Sequence, residues 1–113
     1  ILGGLQTKNM KPYKSYHESL IKALQDPEEA AEYLNAVLED GDKKLFLVAL
    51  KQVAEARGGM VKLSHAAKLS RPSLYRILSK TGNPEFGTLA NILNSFGLKL
   101  AVVAKHGHSL RAA

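Results

Sequence analysis

The chain contains no cysteine, which excludes disulfides and thiolate metal sites and is compatible with a reducing compartment. No apolar run approaches the roughly 20 residues that a transmembrane helix needs. No basic, apolar and small-residue succession marks a secretion signal, so a cytoplasmic protein is expected. Two stretches lack charge of one sign. From Asp26 to Asp42 there is no base, only Asp26, Glu28, Glu29, Glu32, Glu39, Asp40 and Asp42. From Arg57 to Lys80 there is no acid, only Arg57, Lys62, Lys68, Arg71, Arg76 and Lys80. The net charge of +6 on 113 residues therefore hides two surfaces of opposite sign. A hydrophobic content of 45% with 23% charged residues fits one globular domain with a small core.

Catalytic signatures are also missing. The glycines form no phosphate loop, because no strand–glycine–helix context and no Gly-Lys-Ser/Thr follows them. The carboxylates lie on helices as a solvated face and not as paired acids in an apolar pocket. Of the four histidines, His106 and His108 lie two apart in a tail without cysteines or nearby acids, and read as exposed side chains. His65 is either a phosphate contact or idle. No catalytic residue, metal or cofactor is expected, and the chain is not expected to be an enzyme.

What is present reads as an all-α bundle of five or six helices with a short C-terminal strand. Residues 1–12 have two glycines and no organised period, and are expected to lie outside the fold, with Met10 a candidate natural start. A single domain should span residues 13–104. Tyr13 to Leu24 places Tyr16, Leu20, Ile21 and Leu24 on one face. Asp26-Pro27-Glu28-Glu29 opens a helix: Asp26 is the N-cap, Pro27 sits at the first position and Glu29 closes a capping box. That helix should bury Ala30, Tyr33, Leu34, Val37 and Leu38 and break at Gly41. Asp42 caps the next, with Leu45, Phe46, Ala49, Leu50, Val53 and Ala56 inward, until Gly58-Gly59. After a loop over residues 81–87, a closing helix from Thr88 to Phe96 turns Leu89, Ile92, Leu93 and Phe96 inward. Leu98 to Ala104 is too short and β-branched for a helix and reads as a strand in need of a partner. Residues 105–113 should be a flexible tail.

The organising stretch is MVKLSHAAKLSRPSLYRILSK, from Met60 to Lys80. Leu63 and Ala67 face inward from a first short helix. Lys68-Leu69 makes a turn, with Leu69 as its apolar plug. Ser70 stands where an N-cap belongs, and Pro72 falls in the first turn, where its missing N–H is harmless. Leu74, Ile77 and Leu78 then repeat inward. Pro72, Arg76 and Ser79 point the other way, flanked by Ser73, Tyr75 and Lys80, with no carboxylate among them. A duplex-reading face follows. Arg71 and Arg76 are candidates to fork onto guanine, and Ser73 and Tyr75 could bond a base edge or phosphate. Pro72 could touch a thymine methyl, while Lys62, Lys80 and Asn83 would hold phosphates.

This stretch resembles the helix-turn-helix of the Cro/C1 (XRE-like) repressors, with a lambda-repressor-like fold. The match is Leu63, Leu69, Leu74 and Ile77 around Ser70. Ser64 stands where that family has a small alanine, and Lys68 where it has glycine, which would put a lysine at positive φ. The series YLNAVLEDGD, RGGM, LSRPSLYRILS, GNPEFGTL and GLKL, within Asp26 to Val102, resembles the HigA-like addiction module antidotes, antitoxins of type II toxin–antitoxin pairs. That resemblance implies a homodimeric repressor of its own operon that binds a double-stranded DNA operator. It also implies a RelE/HigB-like toxin partner that cleaves mRNA. The acidic stretch is either a solvated helix face or, through Glu28, Glu29 and Glu32, a contact for a basic partner. Two other readings stay open: a stand-alone XRE-type regulator without a toxin, and a protein-interaction inhibitor whose helix-turn-helix is vestigial.

Overall fold

The computed structural model describes residues 12–105. The expectations for residues 1–11 and 106–113, including Met10, His106 and His108, lie outside them. Six helices form among the described residues: α1 Pro12–Ala23, α2 Pro27–Asp40, α3 Lys43–Ala56, α4 Gly59–Ala67, α5 Arg71–Ile77 and α6 Phe86–Ser95. None is long and apolar enough to cross a membrane.

Local chemistry sets most of the boundaries. Asp26 is extended and accepts the Glu29 N–H at 3.3 Å, with Pro27 opening α2. Only this half of the expected capping box forms, because the Asp26 N–H donates to the Ala23 carbonyl that ends α1. Gly41, at φ 74°, closes α2 in a left-handed cap, a conformation open to glycine at little cost. Asp42 then starts α3 by accepting the N–H groups of Lys44 and Leu45 at 2.9 and 3.2 Å.

α3 is the centre of the bundle. It packs against α1, α2 and α4, while α4 in turn holds α5 and α6. Leu24, Leu47, Leu50, Val53, Leu74 and Ile92 form the fully buried heart of the core. Because α3 has neighbours on three sides, its buried arc is wider than a single amphipathic stripe. Leu47 and Ala54, not expected inside, are 1% exposed. Three residues expected inside are not: Tyr16, Leu38 and Leu45 stay 64%, 49% and 48% exposed. Each lies at the edge of its helix's apolar stripe, where packing leaves it partly open to solvent.

Two expectations at the C-terminal end also change. α6 begins at Phe86, two residues before Thr88, and Phe86 is 75% exposed. Among the described residues no strand forms. Leu98 anchors its segment, donating its N–H to the Leu93 carbonyl at 2.9 Å and packing on the core. Beyond it Val102 is 99% exposed. Among the described residues no strand lies beside this β-prone segment, and a strand without a ladder is not stable.

Candidate nucleic-acid interface

α4 and α5 are two short helices joined by a tight turn at Lys68 to Ser70. Lys68 adopts φ 59°, the only non-glycine residue at positive φ among the described residues. Ser64 holds this turn together. Its carbonyl accepts the N–H of Lys68 and of Leu69, and its hydroxyl donates to the Leu69 carbonyl. An alanine at position 64 would keep the two backbone bonds and lose the one from the hydroxyl. From α6, the Asn91 amide donates to the Ala67 carbonyl at 2.7 Å and caps the end of α4. No local sequence signal pointed to either role, since both depend on which carbonyl the fold leaves open.

Ser70 caps α5 as expected, its hydroxyl accepting the Ser73 N–H at 3.2 Å. Such a cap is worth on the order of 1 kcal/mol, a large share for a helix of seven residues. Leu74 and Leu78 are buried and Ile77 is half-buried, so the opposite side of α5 faces solvent. Arg71, Pro72, Tyr75, Arg76 and Lys80 are exposed there, as are Lys62 on α4 and Asn83 in the following loop. Ser73 and Ser79 are only half-buried neighbours of that face. The Ser79 hydroxyl donates to the Arg76 carbonyl at 2.8 Å, which turns it toward the helix end.

The loop after α5 is drawn tight. Gly82 is buried and its N–H donates to the Ser79 carbonyl at 2.9 Å. Beside it an open groove of about 400 Å³ is lined by Arg76, Asn83 and Thr88 among others. Two lysines of α3 also reach this face. The Lys51 ammonium lies 5.5 Å from the centroid of the Tyr75 ring, a cation–π contact. The Lys43 ammonium donates to the Asn83 side-chain oxygen at 3.4 Å. Their proximity to α5 is a product of tertiary packing and has no trace in local spacing. The cationic surface is therefore broader than α4 and α5 alone. Among the described residues no group of three His, Asp or Glu side chains gathers as a metal site.

A family model described as "Probable addiction module antidote protein" matches residues 15–104. The chain belongs to the addiction module antidote family. The match takes in the whole helical array except the first turn of α1. An uncharacterized protein of Haemophilus influenzae is 38% identical to the antidote over 79 residues, covering 70% of this chain and 80% of the relative. No solved structure matches the antidote significantly. An addiction module antidote is an antitoxin, so membership implies a toxin partner at the level of the family. In the antidote, Glu28, Glu29 and Glu32 are exposed in the first turns of α2. Glu28 and Glu29 also suit the positive end of that helix's dipole.

Proposed function

We propose that this antidote is a sequence-specific, HigA-like DNA-binding antitoxin of XRE type. It represses its own operon and neutralises a RelE/HigB-like toxin that cleaves mRNA. The observation that carries the DNA-binding half is the exposed side of α5: Arg71 and Arg76 with no carboxylate, and Lys80 just beyond its end, on a helix fixed from below by Leu74. An arginine there can fork onto guanine O6 and N7 in the major groove. Lys62, Lys80, Asn83 and the two α3 lysines suit phosphates on either side.

The proposal separates base readers from phosphate holders. Arg76→Ala is expected to lose on the order of 1–3 kcal/mol on the antidote's own promoter duplex and to relax preference at one base position. Lys80→Ala is expected to weaken all duplexes alike and to lower the salt slope by about one phosphate's worth. Fluorescence anisotropy on promoter and scrambled duplexes across a salt series reads both. Equal loss on the two duplexes would make Arg76 a backbone clamp. A wild-type protein without preference for its promoter would overturn the repressor reading.

Repressors of this kind read half-sites roughly 34–36 Å apart, which requires a two-fold dimer. Leu98 to Ala104, β-prone and with Val102 and Val103 exposed, is the segment we assign to strand pairing between two copies. Removal of residues 98–104 is expected to turn a dimer into a monomer in sedimentation at micromolar concentration. A wild-type monomer whose sedimentation is the same after that deletion would refute the assignment.

A further inference from the structure

Where α2 and α3 pack side by side, their outer flanks leave the shallow groove that lies between any two packed helices. Tyr33 on α2 donates its hydroxyl to the side-chain oxygen of Gln52 on α3, which fixes which flanks of the two helices meet at the surface. On α3, Leu45 and Val48 share the stripe of Gln52, at spacings of three and four residues. They remain 48% and 39% exposed. On α2, Glu29, Ala36 and Asp40 share the stripe of Tyr33 by the same spacing, and all three are exposed. Tyr16 of α1 extends the strip at the Tyr33 end. Burial, and then the neighbouring Tyr16 phenol, raise the pKa of Tyr33 above the ordinary tyrosine value.

The groove thus has an apolar floor with a carboxylate toward each end, and α2 contributes no base at all. Of the three α3 lysines, Lys51 lies over Tyr75 and Lys43 donates to Asn83, which leaves Lys44, exposed beside Leu45, as a single base against the carboxylates of α2. Exposed apolar side chains gathered on one strip and rimmed by charge are the pattern of a protein-binding surface. The sign of the rim argues against nucleic acid and for a cationic protein.

We infer that this groove is where the antidote docks its toxin, through a segment that presents apolar side chains bracketed by lysine or arginine. The inference rests on the antitoxin reading and adds the surface and the chemistry of the partner. α3 then serves two contacts on two flanks. Lys43 and Lys51 face the duplex side, and Leu45 and Val48 face the toxin.

The test is titration of the whole antidote, by calorimetry, with the protein encoded by the reading frame adjoining its own. Combining Leu45→Arg with Val48→Arg is expected to weaken this association by at least about tenfold, as loss of central apolar anchors does. Preference for promoter over scrambled duplex and the thermal midpoint should be retained. Val61→Arg, at a half-exposed apolar position on α4, should leave the association as in the wild type. Asp40→Lys, which leaves the apolar floor intact, should also weaken it, less so as salt is raised. Wild-type binding that survives both the double variant and Asp40→Lys overturns the docking surface alone. A double variant that changes the sedimentation of the isolated antidote makes the groove a self-interface and overturns it too. A wild type that does not bind the adjoining protein overturns the toxin partner and the groove together.

Discussion

Leu74→Ala is expected to lower the unfolding free energy by about 2–5 kcal/mol, the range for truncating a buried leucine. Leu74 is 0% exposed and is the one buried side chain within the seven residues of α5. A helix that short has no stability of its own, because nucleation uses up what a few hydrogen bonds return. Its position against α4 depends on Leu74, with Leu78 just beyond its end and Ile77 at the edge. The loss would therefore fall on the element that carries the arginines as well as on the whole domain. Total stability for a domain of this size is about 5–15 kcal/mol, so the effect is large. Urea denaturation checks it: the midpoint should fall with little change in slope. A shift no larger than that of a surface substitution would mean that α5 is held by something other than its apolar side.

Gly82→Ala is expected to destabilise by about 1–3 kcal/mol, as overpacking does, for a reason that is steric and not conformational. A Cβ at position 82 would overlap the carbonyl oxygen of Ile77 and crowd the carbonyl of Arg76. Both obstacles are backbone and cannot swing away as a flexible side chain would. The loop would have to lift off the end of α5, breaking the bond from the Gly82 N–H to the Ser79 carbonyl and displacing Asn83. Promoter affinity should fall with stability. Gly87→Ala is the control, since a Cβ there meets nothing within 4 Å near the start of α6. It should be neutral or stabilise by up to about 1 kcal/mol through the unfolded chain. Thermal melts of the two variants side by side distinguish them, and equal midpoints would refute the steric account.

The legible parts of this protein are those governed by chemistry within four residues. Asp26, Gly41, Asp42 and Ser70 punctuate the helices as their side chains or lack of one dictate. Lys68 takes the left-handed conformation that its place in the motif required. Inward spacing in α5 and α6 was also readable, because each has one packed side. The expectation failed on α1, α2 and α3, where Tyr16, Leu38 and Leu45 stay exposed while Leu47 and Ala54 are buried. Periodicity gives the direction of an apolar stripe but not its width, and the width depends on how many neighbours a helix acquires.

The sequence by itself determined the helical class, the capped turns and the separation of acidic from basic surface, since each follows from residue type and local spacing. Tertiary structure alone decided what crosses between elements. Lys51 over Tyr75, Lys43 on Asn83, Asn91 on Ala67 and Tyr33 on Gln52 join residues 19 to 40 positions apart. No propensity encodes such pairs, because their closeness exists only once the core has set the angles between helices. That is why α5 was visible in the sequence as a candidate duplex-reading helix, while its flanking lysines and the open α2–α3 groove were not.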